Sequence, residues 1–431
     1  MISLGGRRPF PSPGLFVLLV VLLLTGVPGC RTAPPVPPRA PDASAFKPTV
    51  ILLSLDGWRW DYDRKVPVPN LQRLIARGVR AERLIPSYPT LTFPNHYSVV
   101  TGLYPEHHGV VGNSMFDPAM QEKFALRDRK AVSDGRWWGG EPIWVTAERQ
   151  GQIAAAMFWP GSEAEIHGRR PRYWRVFDED LPNRARVDQI LDWLDLPVGR
   201  RPTMIVGYFG DVDHEGHEHG PDSPQVRRAM QRVDAALGRL LQGLERRALI
   251  DRVNIVVTSD HGMAAVRSDG AIILDDYLDA DTVQIVDTGA TFGVNPKTLT
   301  VDEIYARLAR AHPHLRVFRK ADTPAAWHYR DHPRVPAIVG QADEGWIVVR
   351  RPKNGKRPSL AKGMHGYDPA LESMHGLLVA AGPAFRSGVV VPPVENVQIY
   401  HALAAALGLT PAPNDGDAAA SRAWMAGEVQ K

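Results

Sequence analysis

The sequence has little cysteine, little net charge and no long apolar run. Its 431 residues include one cysteine, so no disulfide can form within the chain and stability must come from packing. The formal net charge is only +4, and two of the positive charges, Arg7 and Arg8, lie in a segment that we expect to be removed. So weak a charge gives no reason to expect a nucleic-acid partner. The 44% hydrophobic and 23% charged residues are typical of a globular protein with a large core.

The N-terminus has the pattern of an export signal. Arg7 and Arg8 precede the ten-residue apolar run from Leu15 to Leu24. A transmembrane helix needs about 20 apolar residues, so this run is too short for a permanent span. Cys30 follows Gly29 in a segment that resembles a bacterial lipobox. We therefore expect residues 1–29 to be a signal peptide and the exported protein to be a bacterial lipoprotein, tethered to the membrane through Cys30.

Two alternatives stay open for this cysteine. Pro28 is unusual inside a lipobox, so simple cleavage would instead release a soluble periplasmic protein. A lone cysteine is also compatible with a free thiol that has no role.

Composition divides the rest of the chain into a tether and a folded domain. Residues 30–48 are predicted to be a proline-rich tether, because Arg31 to Pro48 holds six prolines and little apolar material. The folded domain is predicted to run from 49 to 420. Within it, residues 265–365 are less regular and are predicted to form a smaller inserted or cap region.

Short apolar runs alternate with helical periodicities along this domain. The runs predicted as buried strands are Val50–Leu55, Met204–Phe209, Val253–Thr258 and Leu377–Ala380. The amphipathic segments predicted as helices are Asn70–Ala76, Arg186–Leu194 and Pro224–Arg247. This alternation predicts an α/β fold with a doubly wound, mostly parallel central sheet flanked by helices.

Residue types that bind metals follow three of these strands. In a doubly wound sheet, ligands collect at the carboxyl ends of the strands. The residues at these ends are Asp56, the segment Asp211–His217, Asp260 and His261. His365 lies further along the chain. Carboxylate and imidazole suit zinc better than magnesium, and two such sets suit a two-metal site for displacement at phosphorus. Any one pair would equally cap a helix or a turn, but three strand ends with such pairs are hard to attribute to chance.

A nucleophile is predicted in the segment from Pro89 to Tyr97. Thr92 stands before Pro94 and ahead of an apolar stretch, which predicts a position at a helix N-terminus. The helix dipole and free N–H groups there would stabilise an alkoxide and hold a phosphoryl oxygen. Thr90 is the nearest rival, and Thr92 is also compatible with a purely structural helix cap.

These residues belong to segments that are similar to the signature segments of nucleotide pyrophosphatase/phosphodiesterases, in the alkaline phosphatase superfamily. The resemblance covers nearly the whole mature chain and implies a bacterial-type member of that family. The segments that carry it are Asp56-Gly57, Thr92–Tyr97, Thr101–Glu106, His108–Asn113, Gly140–Trp144, Phe158–Ser162, Asp260–Met263 and Leu409–Asn414.

The resemblance implies two Zn²⁺ ions per chain and a covalent mechanism. The ligands implied for one zinc are Asp56, Thr92, Asp260 and His261, and those for the other are Asp213, His217 and His365. Asp211 and His214 are competitors at the second zinc, because the acidic stretch that often precedes its aspartate in the family is missing here. Asn113 would share oxyanion stabilisation with the Thr92 backbone N–H. Thr92 would attack phosphorus, an alcohol or nucleotide would leave, and water would hydrolyse the phosphothreonine.

The resemblance also implies a pocket for a nucleobase. The residues at its positions are Phe93, Leu126, Trp159, Phe177 and Tyr208. Aromatic stacking contributes about 1–3 kcal/mol per base, which favours nucleotide phosphodiesters and pyrophosphates as substrates and nucleoside 5′-monophosphates as products. The same aromatic side chains are also compatible with packing alone.

Three other functions stay open. Some members of the family cleave choline-containing glycerophosphodiesters or lysophospholipids. A phosphate monoesterase is the nearest enzymatic rival, although no arginine here has the sequence context expected for its phosphate contact. A catalytically inactive, zinc-stabilised binding lipoprotein is the third. A sulfatase is disfavoured because no Cys or Ser occupies its nucleophile motif. The sequence predicts no oligomeric state.

Overall fold

The protein is described by a computed structural model that covers residues 46–353, 356 and 358–427. The predicted signal peptide, Cys30 and most of the predicted tether lie outside the described residues. The packed body begins at Thr49 and continues to Trp424, whose side chain is buried, beyond the predicted end at 420. Within the described residues, none of the helices is long and apolar enough to cross a bilayer.

The centre of the structure is an eight-stranded sheet. Its strands are β1 (Thr49–Leu55), β2 (Val79–Ala81), β3 (Ala154–Met157), β4 (Tyr173–Arg175), β5 (Met204–Phe209), β6 (Val253–Thr258), β7 (Leu378–Ala381) and β8 (Val389–Val391). The spatial order is β8-β2-β7-β6-β1-β5-β3-β4. Strand β7 runs antiparallel to both of its neighbours, and the other pairings are parallel. The predicted α/β fold with a mostly parallel sheet is confirmed, as are the four predicted strands.

Helices cover both faces of this sheet because the strand side chains alternate between two buried cores. In β1, Val50 and Leu52 join one core, while Ile51 and Leu53 join the other. The helices are α1 (Pro69–Ala76), α2 (Thr92–Thr101), α3 (Pro105–His108), α4 (Arg129–Val132), α5 (Ile143–Arg149), α6 (Asn183–Leu194), α7 (Asp211–His219), α8 (Pro224–Arg246), α9 (Val301–Leu308), α10 (Ile399–Leu407) and α11 (Ala418–Arg422). Helices α2, α5 and α10 line the first core, and α1, α6 and α8 line the second.

The region between β6 and β7 is more regular than its sequence indicated. It contains a four-stranded antiparallel sheet, with helix α9 contributing to a separate apolar core. Its strands, in spatial order, are Val283–Asp287, Thr291–Pro296, Ile338–Ala342 and Leu315–Arg319. The expectation of irregular structure over 265–365 was therefore wrong. Its short strands and their proline- and glycine-containing connections conceal the period of two that would have revealed them.

Smaller pairings complete the body. Four further pairs of short strands lie outside the two larger sheets of the described residues. The parallel pairs are Leu84–Ile85 with Val394–Glu395 and Ala271–Ile273 with Ile347–Val349. The antiparallel pairs are Ser114–Asp117 with Glu122–Ala125 and Ala264–Ala265 with Gly363–Met364. Strands β6, β1 and β5 are parallel neighbours at the centre of the main sheet. Their carboxyl ends therefore open at the same edge, and this edge carries the candidate site.

Candidate active site

The candidate site lies at the carboxyl ends of the three central strands. Asp56 directly follows β1, Asp260 and His261 follow β6, and helix α7, which begins after β5, carries Asp213 and His217. Gly57 allows these segments to approach, because its φ is +67° and a Cβ atom there would lie 2.8 Å from the Asp213 Cα atom. The structure therefore brings together ligands that are far apart in the sequence.

His365 reaches the same place from the far end of the inserted region. The strand Gly363–Met364 pairs with Ala264–Ala265, just beyond the Asp260-His261 segment. This pairing delivers the next residue, His365, to the site, where its ring stacks on that of His261 with 3.6 Å between centroids. The inserted region thus completes the cluster.

Three histidines are held so that the same nitrogen faces inward. The Nδ1 atoms of His217, His261 and His365 lie 2.8–2.9 Å from backbone carbonyl oxygens. A carbonyl oxygen only accepts hydrogen bonds, so each Nδ1 carries the hydrogen and, in the neutral ring, each Nε2 presents a lone pair. The Nε2 atoms of His217 and His365 are 3.1 Å apart. Two lone pairs at that distance repel each other unless a cation lies between or beside them, and this arrangement is typical of metal-binding histidines.

Buried carboxylates supply negative charge at the same point. Asp56 and Asp260 are each 1% exposed. Among the described residues, Asp56 Oδ1, Asp213 Oδ1 and Asp260 Oδ2 have no well-directed hydrogen-bond partner. An unpaired carboxylate oxygen is costly to bury. The pattern fits a bound cation that accepts these oxygens as ligands.

The pKa values show the same need for a positive charge. Burial, together with the nearby Asp260 and Asp213 carboxylates, raises the pKa of Asp56 well above its usual range. Burial acts to raise the pKa of Asp260 too, but the His261 and His96 rings outweigh it and lower that pKa. Burial would lower the pKa of His261, yet Asp260 raises it. The field that draws a proton to His261 would equally attract a metal ion.

The ligands form one continuous cluster rather than two separate sets. His261 Nε2 lies 3.0 Å from Asp260 Oδ2 and 3.5 Å from Asp56 Oδ1. Asp213 Oδ1 lies 3.4 Å from His217 Nε2 and 3.6 Å from His365 Nε2. The donor atoms of Asp213, His261 and His365 are also close enough to hold one ion together. All predicted metal-ligating side chains meet here, but His261 borders both predicted sets.

Thr92 points into this cluster. It is the first residue of α2, so the predicted position at a helix N-terminus is confirmed, and Leu91 occupies the N-cap position. No side-chain capping bond is formed there within the described part of the chain. The Thr92 hydroxyl instead lies 3.4 Å from His261 Nε2. A purely structural capping role is therefore excluded.

The rivals to these residues lie elsewhere. Thr90 is fully buried, and its hydroxyl donates to the Tyr367 carbonyl oxygen and accepts the Gly366 N–H. His214 is largely exposed and faces Glu218, while Asp211 is occupied by Asn183 and Arg232. None of the three rivals therefore has a side chain directed at the cluster.

Asn113 lies beside the first turn of α2. Its Oδ1 atom accepts the Phe93 backbone N–H at 2.9 Å. The carbonyl end of the amide is therefore engaged, and the NH₂ end is the part that remains to donate. The Leu126 backbone N–H donates to the backbone carbonyl oxygen of Asn113, which places Leu126 beside Asn113.

The residues predicted to line a base pocket differ in their exposure. Phe93 adjoins Thr92, the Tyr208 hydroxyl donates to Asp56 Oδ2 at 2.6 Å, and the edge of Phe177 meets the Tyr208 ring. Leu126 and Phe177 are each 37% exposed, as an open surface requires. Trp159 differs because it is 1% exposed and its indole N–H donates to the His96 carbonyl oxygen. Its ring belongs to the core beneath the site and is not open to a ligand in this structure.

His96 is a residue of the site that the sequence analysis did not assign. It is buried, and its Nδ1 atom lies 3.3 Å from Asp260 Oδ2 and 2.8 Å from the Thr92 carbonyl oxygen. Its spacing of four residues from Thr92 on a predicted helix would have placed both on one face. That spacing is the signal that could have identified it.

Comparison with known proteins agrees with this geometry. A family model described as type I phosphodiesterase / nucleotide pyrophosphatase matches residues 50–368. Ectonucleotide pyrophosphatase/phosphodiesterase family member 5 from Homo sapiens is 37% identical over 369 residues, covering 85% of this chain and 76% of that protein. A bis(5′-adenosyl)-triphosphatase from Bos taurus is 37% identical over 93% of this chain and 85% of its own length.

Solved structures show the same similarity. Murine ectonucleotide pyrophosphatase/phosphodiesterase 5 superimposes with a TM-score of 0.84 at 36% identity, covering 88% of this chain and 100% of that one. An inactive threonine-to-alanine variant of the murine protein, in complex with AMP, gives a TM-score of 0.83 with the same identity and coverage.

Fold and site together define a hydrolase of the alkaline phosphatase superfamily with a candidate metal-binding cluster at the carboxyl edge of its sheet. The family match and the relatives then decide its place within that superfamily: the chain belongs to the nucleotide pyrophosphatase/phosphodiesterase family. It is accordingly an enzyme of the phosphoric diester hydrolase and nucleotide pyrophosphatase class. The relatives named here are eukaryotic, and the bacterial type stays a prediction.

Proposed function

We propose that this protein is a two-zinc phosphodiesterase that cleaves nucleotide phosphodiester and pyrophosphate bonds through a phosphothreonine on Thr92. One observation carries the proposal. Three histidine Nε2 lone pairs and three unpartnered carboxylate oxygens converge beside the Thr92 hydroxyl. Mixed nitrogen and oxygen ligands of this kind suit zinc.

The assignment of the ligands to two zinc ions follows the family resemblance. The residues that would hold one zinc are Asp56, Thr92, Asp260 and His261, and those that would hold the other are Asp213, His217 and His365. Bound zinc supplies Lewis-acid chemistry, which lowers the pKa of a coordinated hydroxyl and neutralises charge on the phosphoryl group.

The residues of the chain then perform the displacement. Thr92 Oγ1 loses its proton to water and forms a bond to phosphorus while the bond from phosphorus to the leaving oxygen breaks. The leaving oxygen takes that electron pair and gains a proton from water where it leaves as an alcohol. Water hydrolyses the phosphothreonine, releasing the nucleoside 5′-monophosphate and restoring the Thr92 hydroxyl. The NH₂ group of Asn113 and the Thr92 backbone N–H, at the N-terminus of α2, donate to the phosphoryl oxygen.

A nucleotide substrate is supported by both the pocket and the relatives. Phe93 and Leu126 border Asn113. Tyr208 contacts Asp56, and Phe177 packs against the Tyr208 ring. These side chains would stack and enclose a base on the phosphoryl group that is transferred. The murine relative was solved with AMP in an inactive threonine-to-alanine variant, and the bovine relative is named as a bis(5′-adenosyl)-triphosphatase.

The class of reaction is tested by comparing two chromogenic substrates. Residues 31–431 are assayed on a nitrophenyl ester of thymidine 5′-monophosphate and on nitrophenyl phosphate. We expect a diesterase rate that exceeds the monoesterase rate, falls on chelation, returns with zinc and is at least about a thousandfold lower in Thr92→Ala. An unchanged rate in Thr92→Ala would exclude the covalent mechanism. Dominant monoester cleavage would make the protein a phosphatase.

The base pocket is tested by changing its most exposed aromatic ring. Phe177→Ala should raise KM for the thymidine ester about 5- to 150-fold, because stacking contributes about 1–3 kcal/mol per base. The control substrate is bis(nitrophenyl) phosphate, which lacks a nucleobase and should be hydrolysed at the original rate. Equal losses on both substrates would argue against base stacking. Preferential turnover of a nitrophenyl ester of phosphocholine would favour a choline-lipid enzyme instead.

The proposed organisation of the chain includes an export signal, a tether and one folded domain. We propose a signal peptide over 1–29, a tether over 30–48 and a single catalytic domain over 49–420 that contains the inserted region 265–365. Export with lipidation at Cys30 would hold the enzyme at a bacterial membrane. Expression of the full chain in a bacterial host, with metabolic labelling by a fatty acid, should label the protein but not Cys30→Ser. An unlabelled protein in the soluble periplasmic fraction would exclude the anchor.

A further inference from the structure

His96 joins three parts of the site through one buried ring. It lies on α2, one turn after Thr92, and is 1% exposed. Its Nδ1 atom is 2.8 Å from the Thr92 carbonyl oxygen, and its Nε2 atom is 2.7 Å from Ser54 Oγ on β1. Its Nδ1 atom also faces Asp260 Oδ2 at 3.3 Å. The ring therefore touches the first turn of α2, strand β1 and the Asp260 segment.

The hydrogen bonds determine where the ring carries its hydrogen. The Thr92 carbonyl oxygen only accepts, so His96 Nδ1 is the donor; in the neutral ring Nε2 accepts the Ser54 hydroxyl hydrogen. An Nδ1 atom that carries hydrogen cannot bind a cation. His96 therefore differs from His217, His261 and His365, whose Nε2 lone pairs face the cluster, and it is not a fourth histidine ligand.

The surroundings hold this ring in one orientation. Trp159 donates its indole N–H to the His96 carbonyl oxygen, and the edges of Trp159 and Tyr208 meet the imidazole at 5.2 and 5.3 Å between centroids. Ser54 is itself fully buried, so its hydroxyl contact with His96 Nε2 is shielded from water. The buried Trp159 therefore packs against the His96 ring and helps to hold its orientation.

We propose that His96 is a positioning residue that aims Thr92 and Asp260 at the metal cluster. Its Nδ1–H fixes the carbonyl group of Thr92, and thus the first turn of α2, relative to β1. The same N–H directs its positive end at Asp260 Oδ2, which keeps that carboxylate turned toward His261. The inference rests on the proposed function, because it gives Thr92 and Asp260 the roles of nucleophile and ligand.

Two substitutions of His96 distinguish the roles of its two ring nitrogens. Asparagine places its amide nitrogen close to the position of Nδ1, and glutamine reaches the position of Nε2. His96→Asn should retain the donor to Thr92 and Asp260, whereas His96→Gln should keep only a partner for Ser54. We expect His96→Gln to lower kcat at least about tenfold with KM within about twofold, and to weaken zinc binding about 10–100-fold, as loss of a group that orients a ligand does. His96→Asn should recover most of both.

A second buried histidine provides the matched control. His108, on α3, is fully buried, and its Nε2 atom contacts the hydroxyl of Ser98 on α2. Its Nδ1 atom accepts the Val110 N–H, and its ring packs against that of Tyr97. His108→Gln should lower the thermal midpoint while leaving kcat and zinc affinity near the wild-type values. This control shows what the loss of a buried histidine costs the fold alone.

Zinc affinity is measured by competition with a chromogenic chelator, independently of turnover. Wild-type zinc affinity and kcat in His96→Gln would overturn the inference, as would equal defects in His96→Asn and His96→Gln that match their loss of thermal stability. Full activity of Thr92→Ala would instead overturn the proposed function. Since the chelator measurement does not depend on catalysis, the two failures are distinguishable.

Discussion

At the scale of single residues, the site depends on how closely two ligand segments approach. Asp56 and Asp213 come from different strand ends, and Gly57 lies between them. Its positive φ is strained for any other residue, and an added Cβ would overlap the Asp213 backbone. The glycine therefore serves both the turn and the distance between the ligands.

Gly57→Ala should lower both stability and zinc content. The control is Gly151→Ala, because Gly151 also has a positive φ, of +78°, but nothing lies within 4 Å of its added Cβ. Left-handed strain alone costs about 1–2 kcal/mol, and it is common to both variants. We expect Gly57→Ala to lose more unfolding free energy than Gly151→Ala in denaturant titrations, and to lose zinc by elemental analysis. Equal losses with full zinc content would contradict this explanation.

At the scale of elements, the helices of the second core are joined by a buried acid. Helix α1 begins at Pro69, and no side-chain capping bond comes from its own N-cap residue, Val68. Asp234 of α8 supplies the acceptor instead, taking the backbone N–H groups of Asn70 at 3.2 Å and Leu71 at 2.8 Å. Its negative charge also lies at the positive end of the α1 dipole. One side chain therefore caps one helix and fixes its position on another.

Asp234→Ala should destabilise the protein without changing its chemistry. It leaves two N–H groups of α1 unpaired in a buried position, for which we expect a loss of about 2–4 kcal/mol of unfolding free energy. Asp188→Ala is the control, because Asp188 pairs with Arg239 on the surface and should have a much smaller effect. Denaturant titration measures the stability, and kcat/KM on the thymidine ester should stay at the wild-type value in both variants. A fall in kcat/KM for Asp234→Ala would show coupling that the contacts do not predict.

At the scale of the whole molecule, the inserted sheet packs against the loops that carry Thr92 and Asn113. A small cavity of about 20 Å³ lies at this seam, lined by residues from both sides, among them Leu91, Ser114 and Asp287. Burial raises the pKa of Asp287 to about 6, although the Thr288 and Ser114 backbone N–H groups partly oppose the shift. The seam therefore contains an acid that the folded state prefers to keep protonated.

The stability of the seam should accordingly fall as pH rises. The pKa of an aspartate in an unfolded chain is about 3.9, below the folded value of about 6. The stabilising contribution is therefore complete below about pH 4 and is lost as pH rises through about 6. Asp287→Asn stays neutral, so it should exceed the wild type by about 1–2 kcal/mol at pH 8, after allowance for partial exposure, and match it near pH 4.

Asp275→Asn is a control of opposite sign. A hydrogen bond from Arg350 lowers the pKa of Asp275, so its ionised form is the one that favours folding. The contribution is present above the unfolded pKa and is lost as pH falls through the folded one. This variant should be less stable than the wild type at pH 8. Denaturant titrations at several pH values measure both variants, and a higher stability of Asp275→Asn at pH 8 would contradict the assignment.

Much of the main sheet was predictable because its central strands are continuous apolar runs buried on both faces. The predicted strands β1, β5 and β6 have the bounds of the structure to within one residue, and predicted helices correspond to α1, α6 and α8. The short strands β2, β4 and β8 were not predicted, since three residues hold too little periodicity to distinguish a strand from a loop. The strands of the inserted sheet have five or six residues, but their proline- and glycine-containing connections concealed the period of two.

The sequence by itself determined the α/β class, the strand ends that carry the ligands, and Thr92 as the residue that opens a helix among them. Strand ends are marked by local composition, so these features need no tertiary information. Only the tertiary structure decided that Thr90 is locked in hydrogen bonds, that Trp159 is buried, and that His96 connects β1, α2 and Asp260. Each of these depends on contacts between segments distant in the chain, such as the 2.7 Å contact from His96 to Ser54. The local sequence pattern does not predict such contacts, because the packing of the folded chain decides which neighbours a side chain meets.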